Sequence, residues 1–461
     1  LTGNTNDLTL TADDIDFTAG GGSIDGTGSL VFRPSATGNA FGVGSGQIIT
    51  DTEITELTTN FTGITIGYAG GTGTVTVNTV TFLSPVTIQS AGVGGKVDIN
   101  GTITGNDDAT VDINGTGIDL QSGITTAGNT ISFTGPVTLT GNVALDTGAG
   151  ANISFADTAT VDDDGLGPWD LQVDAPGNTI SFGATNGAGN GRIGGAAGAN
   201  RIDVLTVVDA ATVTFNGEVF ATGVTQSAGT TLTTFNQAVD VAGTVDLNGQ
   251  AFTVNAGLTT SGGGTVTVTN SGLADLNAKI TSAGTVLFDD ATTGSINMGA
   301  DIETTDADAE INITNAAATL STDVGLTTSD GAITLDEVLD DTGSTRSLTL
   351  TAGTDNIVID DNVGVNGGNT LAAVTVESAG DVHFSGVGAT VDVDSLTIGN
   401  TTAVGADVEF DAAVNVGGNV DIDTATLTLD ATLDTTAGGT VTITNSGLAD
   451  LNAKITSAGT V

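Results

Sequence analysis

TVTVTNSGLADLNAKITSAGTV, residues 265–286, returns as TVTITNSGLADLNAKITSAGTV at residues 440–461, changed only at Val268/Ile443. Self-similarity at a fixed offset, here about 175 residues, is the mark of a repeat architecture. A weaker match extends upstream: Phe235, Ala238, Val239, Val241, Gly243, Val245 and Asp246 recur as Phe410, Ala413, Val414, Val416, Gly418, Val420 and Asp421. Residues 232–286 and 407–461 are therefore read as duplicated units of a longer repetitive chain. Inside the stretch, Val266 and Val268 alternate with Thr, as one face of a strand requires. Asn270-Ser271-Gly272 reads as a corner, and Leu276, Ala278 and Ile280 as further inward positions. Leu273, Leu276 and Ile280 also fit a helical spacing, but the surrounding Thr and Val favour a strand.

The same phrase recurs along the whole sequence. Ile131-Ser-Phe133, Ile153-Ser-Phe155, Ile180-Ser-Phe182 and Val213-Thr-Phe215 each set an aliphatic residue and a Phe two apart, hence on one side of a strand. Val97-Asp-Ile-Asn-Gly101, Val111-Asp-Ile-Asn-Gly115 and Val245-Asp-Leu-Asn-Gly249 run a strand into Asn-Gly, which tolerates tight turns. Asn-Gly also suits hairpins, so an antiparallel sandwich competes. Short strands, strand-like phrases within the connections and an unvarying character along the chain favour a parallel β-solenoid with irregular rungs of roughly 15–25 residues. A sandwich would need distinct edge and core strands. The solenoid reading makes residues 1–461 one continuous segment of about 22 rungs, a rod of roughly 100 Å. Val, Ile, Leu, Phe and Ala would fill its interior, and Thr, Asp and Asn would form its outer ladders.

Composition narrows the function classes. Asp and Glu outnumber Lys and Arg 54 to 7, a formal net charge of -47. So acidic a surface repels phosphate backbones and anionic lipids, and the basic residues do not cluster, so nucleic acid and membrane surfaces are not expected partners. No apolar run approaches the length of a membrane helix, and no signal-peptide pattern opens the sequence. Disorder conflicts with the abundance of β-branched residues and a mean hydropathy of +0.21. The sequence contains no Cys, which excludes a disulfide framework.

Three stretches break the rhythm. Thr50–Phe61 carries a capping-box pattern, Thr50 with Glu53, and Ile54, Leu57 and Phe61 at helical spacing, predicting a short helix near residues 51–60. Residues 162–169, DDDGLGPW, hold three consecutive Asp and the single Trp. Residues 183–200, rich in Gly and Ala, read as a protruding loop. Around the helix, residues 28–90 combine GSLVFRPSATGNAFGVGSG, TDTEITELTTNF and TGITIGYAGGTGTVTVNTVTFLSPVTIQS. This order of strand, polar-Pro-Ser turn, Gly-Val-Gly segment, acidic helix ending in Phe, and Ile-Thr-Ile-Gly strand resembles a module of the filamentous-haemagglutinin-like giant surface proteins of bacteria. The resemblance implies a right-handed parallel β-helix, secretion, and a place in surface fibres or adhesion. It implies no catalytic residues.

Candidate chemistry is sparse. Asp162, Asp163 and Asp164 before Gly165 are the candidate calcium ligands, although consecutive Asp residues in a strand face alternate sides. Asp360, Asp361 and Asn362, and Asp107 with Asp108, are similar acidic groups. No calcium-binding β-roll nonapeptide occurs. A carbohydrate lyase or glycosidase on a β-helix would draw on Arg192 and Arg201 near Trp169, but abundant carboxylates single out no acid–base pair. His383, the single histidine, falls on the polar side of its strand, and with no second His and no Cys a Cys-His pair or a His- or Cys-rich zinc cluster is not expected. The reading that results is a non-catalytic structural shaft of a secreted, extracellular or cell-surface fibre. Self-association into fibres or a sheath is expected, with no required cofactor. Glycan or partner-cell adhesion through the 183–200 loop is the alternative, and the carbohydrate enzyme a second one. Lys279 and Lys454, rare positive charges at equivalent places in the two copies, are candidate inter-fibre contacts, and the acidic faces are candidates for calcium-mediated crosslinking.

Overall fold

A computed structural model describes residues 7–17, 24, 26–57, 60–195, 200–290, 294–340, 345–364, 370–386 and 389–461. Nearly all the regular structure is short parallel strands, wound into about 19 stacked coils of a β-solenoid. The coils are divided between two compact units, Leu1–Asp240 and Val241–Val461. Every described strand pairing is parallel, so Asn-Gly marks corners and strand ends here, not hairpins. Among the described residues no helix is long and apolar enough to cross a membrane.

Each coil of the first unit contributes to three sheets. Sheet A includes Val86–Ser90, Val111–Gly115, Ile131–Thr134, Ile153–Phe155 and the ends of the long strands Leu171–Phe182 and Ile202–Phe215. Sheet B runs from Phe41–Val43 through Thr74–Val77, Lys96–Ile99, Ile118–Leu120 and Val137–Leu139 to Val161–Asp163. Sheet C includes Val80–Phe82, Ile103–Gly105, Ile124–Thr126 and Val143–Asp146. The register places like on like. Ile131, Ile153, Ile180 and Val213 form one inward row, and Phe133, Phe155, Phe182 and Phe215 the next. Their rings stack at 4.9, 4.8 and 5.1 Å, nearly parallel, and Phe215 stacks on Phe235 at 4.7 Å. The coil-to-coil rise of a parallel sheet matches offset aromatic stacking, so one side-chain type can repeat without strain.

The helix spans Asp51–Thr55, shorter than the sequence suggests, and has the anticipated cap: Thr50 Oγ1 accepts from the Glu53 amide while the Glu53 carboxylate accepts from the Thr50 amide at 2.8 Å. Leu57 has already left it to bridge to Ile24. This insertion stretches the step from Leu30 to Ile64 far beyond the anticipated coil length, and the step from Leu171 to Leu205, which holds the Gly/Ala-rich stretch, is as long.

In the second unit, sheet D includes Val245–Gly249, Val266–Asn270, Val286–Asp290, Ile357–Ile359, Val382–Phe384 and Val404–Phe410. Sheet E includes Phe252–Val254, Leu273–Leu276 and Ser295–Met298, and sheet F Leu258–Thr260, Ile280–Ser282 and Ile302–Thr304. The sequence 265–286 is thus one whole coil, D to E to F. Val266, Val268, Leu276 and Ile280 are buried as anticipated, but Ala274, not Ala278, points inward beside Leu276. Asn277 to Lys279 turn the corner between two strands, so the alternation does not carry through Ala278.

Corners bring backbone carbonyls and amides inward, and buried hydroxyls satisfy them. Thr147, Thr260, Thr304 and Thr435 are buried and donate to the carbonyls of Ala151, Gly264, Ala309 and Gly439 at 3.0, 2.6, 2.7 and 3.1 Å. Thr260 Oγ1 also accepts from the Ala283 amide at 3.0 Å. Thr260→Val keeps the shape, loses the hydroxyl and strands that buried amide, so it should cost about 1–3 kcal/mol. Urea unfolding checks this against Thr260→Ser, which should lose much less; equal stability of the two variants would remove the hydroxyl from the account.

Candidate functional site

The group of side chains best placed to bind a ligand lies on the outer surface of sheet D. Val358, His383 and Glu409 are paired in register on three successive strands, each between two inward residues. The inward neighbours fix that register: Ile357, Val382 and Val408 form one buried row, and Ile359, Phe384 and Phe410 the other. Phe384 and Phe410 stack at 5.0 Å. With the flanking residues of each triplet locked inside, the residue between them must point outward. Asp411 follows Phe410 and lies two residues beyond Glu409, beside the same imidazole.

His383 Nε2 is 3.2 Å from Asp411 Oδ2 and 3.7 Å from Glu409 Oε2. One nitrogen and one oxygen from each carboxylate lie within 4.8 Å of one another. All three side chains are about one-third exposed, so the group is approachable from solvent. A cavity of about 240 Å³ adjoins it, lined by Asn356, Val358, Asp381, His383, Asp407 and Glu409. Among the described residues this is the single set of three or more His, Asp and Glu side chains with ligand atoms so close. His383 faces solvent as its alternation predicts, but it is not isolated. Its partners come from the next coil, 26 and 28 residues on, where no local motif shows them. The step from His383 to Glu409 exceeds the anticipated coil length, so no signal in the sequence pointed to them.

Asp162, Asp163, Asp164, Arg192, Arg201 and Lys279 have partners of their own. Asp162 points outward to Arg192, with Nη2 at 2.9 Å from Oδ1. Burial nevertheless holds the Asp162 carboxyl above its ordinary pKa, outweighing the guanidinium. Asp163 points inward and accepts from the Gly165 and Trp169 amides at 2.6 and 3.1 Å. Asp164 accepts from the Leu166 amide at 2.8 Å and from the Trp169 indole at 2.9 Å. Asp163 and Asp164 organise the turn around Trp169, while Asp162 is turned to Arg192. Arg201 donates to the Ala221 carbonyl at 3.0 Å and pairs with Asp240, so both arginines tie coils together. Lys279 pairs with Glu303 at 2.5 Å.

The Gly/Ala-rich stretch is partly built into the first unit. Ile193 is fully buried and bridges Val161 to Val219. Asp157 pins the start of the loop, accepting from the Ala184 and Thr185 amides at 2.7 and 2.8 Å. Residues 196–199 of the anticipated loop lie outside the described residues.

Compared with protein-family models, with curated proteins and with solved structures, the chain matches none. Its own electrostatics remain the guide. Asp146 and Asp174 are register partners, and burial first, then the charges of Asp146 and Asp209, raise the Asp174 carboxyl above its ordinary value of 3.8. Asp174 Oδ1 and Asp209 Oδ1 are solvent-excluded and lack a hydrogen-bond partner among the described residues. A raised folded pKa means that the folded state holds the proton more tightly than the unfolded one. The stability this brings is complete below 3.8 and is lost as pH rises through the raised value. Asp174→Asn should therefore raise the thermal midpoint at neutral pH, by the equivalent of about 0.5 kcal/mol for a screened cross-strand repulsion. The gain should vanish on acidification below 3.8, and a gain independent of pH would refute the electrostatic origin.

Proposed function

We propose that the chain is a segment of the shaft of a secreted bacterial cell-surface or extracellular fibre, with a mechanical and not a catalytic role. The observation that carries this reading is the placement of the duplicated stretch. Residues 265–286 run through sheets D, E and F in that order. In the second copy, Val441–Asn445 lies in sheet F, Ala449–Leu451 in D and Ile455–Thr456 in E. Seven full coils and two further sheets separate the copies. Near-identical sequence is therefore presented on different sides of the solenoid. A binding or catalytic surface would need one orientation, whereas a coil that only has to stack can begin on any sheet. Lys279 consequently lies at the corner between E and F, and Lys454 at the corner between D and E.

The resemblance of residues 28–90 to filamentous-haemagglutinin-like modules supports the same reading, since that family builds surface fibres. Electron microscopy of the native material tests it: filaments or sheath-like assemblies are expected, and dispersed globular particles would refute it. An adhesive role is the second reading, favoured by the outward residues 184–190 of the Gly/Ala-rich stretch. Asn186 accepts from Gln237 at 2.6 Å, so the loop tip is held in place. Replacing residues 186–189 while keeping Ile193 separates the two. Lost glycan or cell binding with intact coils would establish adhesion.

A further inference from the structure

We propose that His383, Glu409 and Asp411 form a binding site for a divalent first-row transition metal ion, with Zn²⁺ as its representative. The ligand set is one imidazole nitrogen and two carboxylate oxygens. That mixture suits borderline ions such as Zn²⁺ and Mn²⁺ better than Ca²⁺, which takes six to eight oxygens. Zinc bonds of about 2.1 Å to nitrogen and oxygen place neighbouring ligand atoms of a tetrahedron about 3.4 Å apart. The observed separations from Nε2, 3.2 and 3.7 Å, bracket that edge. An ion could therefore enter with small side-chain rotations and without moving the backbone.

Rigidity adds to the argument. Glu409 and His383 project from register-paired strands whose inward neighbours are buried, so the backbone positions of the ligands are set by the core. The described ion pairs of Glu409 and Asp411 are with His383 itself, so an ion would replace a weak pairing and not a Lys or Arg bridge. Three protein ligands on an outward surface leave the remaining coordination positions to water or to a carboxylate of another molecule. Asp381 and Asp407 line the adjoining cavity, and the chain carries a net charge of -47, so the surrounding field favours a cation. The site does not depend on the fibre reading.

The sequence has one histidine, so its imidazole nitrogens give the single histidine signature in a long-range ¹H–¹⁵N spectrum of the full chain. Titration with Zn²⁺ should shift the Nε2 resonance selectively, at a stoichiometry of one ion, and excess Ca²⁺ should not reverse it. Glu409→Gln and Asp411→Asn should each weaken Zn²⁺ binding about tenfold or more, since even an outer partner of a metal ligand is worth that much. Circular dichroism of each variant confirms that the coils are intact, and the wild-type spectrum needs no variant. Imidazole resonances that stay unmoved through the titration would overturn the proposal. Wild-type affinity in both carboxylate variants would also overturn it, leaving His383 as a lone surface ligand.

Discussion

Phe182→Ala, a truncation inside the Phe row, should lower the stability of the first unit by about 4 kcal/mol. Phe182 is fully buried and its ring is held between Phe155 and Phe215 at 4.8 and 5.1 Å. The substitution removes the transfer energy of a benzyl group, leaves a cavity bounded by two rigid rings, and breaks two aromatic contacts worth about 0.5–1.5 kcal/mol each. In a solenoid each coil touches only its neighbours, so the damage should be local. Hydrogen exchange should accelerate most in Ile153–Phe155, in residues 179–182 and in residues 212–215, with Val86–Ser90 little affected. Phe182→Leu should recover most of the loss. Uniform acceleration across the first unit would show that it unfolds as one block, contrary to nearest-neighbour coupling.

Gly135→Ala should be comparably damaging although it adds one methyl group. Gly135 has φ of +110°, in the region that L side chains rarely enter, and a Cβ there would stand 1.8 Å from the Gly115 carbonyl oxygen of the preceding coil. Backbone strain alone costs about 1–3 kcal/mol, and the clash can be relieved only by separating two stacked corners. A loss of about 3 kcal/mol or more is expected, read as a lower urea midpoint. Gly46→Ala is the control: φ is +75°, but nothing lies within 4 Å of the added carbon, so the strain acts without the clash. Equal losses at the two positions would show that coil-to-coil contact at corners is not limiting.

Much of the architecture was legible in the residues, because period-two alternation is a local property. An aliphatic residue and a Phe two apart must share a side, and the buried rows from Ile131 to Phe215 follow from that. The helix cap was equally local, since Thr50 and Glu53 satisfy each other's amides within one turn. Ala278 was misplaced because a corner resets the alternation, and Asn277 gives no stronger turn signal than many Asn residues that lie in strands.

The sequence by itself determined the fold class, the inward side of most strands and the existence of a duplicated coil. Only the tertiary structure decided which residues from different coils meet. Connections in the second unit vary, so that successive sheet D registers advance from Val266 to Val286 in one coil and from Val382 to Val408 in another. Loop length carries no periodic signal, and small differences accumulate along the stack. They rotate the second copy of the duplicated stretch onto other sheets. They also set Glu409 opposite His383, which turns a solitary histidine of the sequence into one member of a three-residue site.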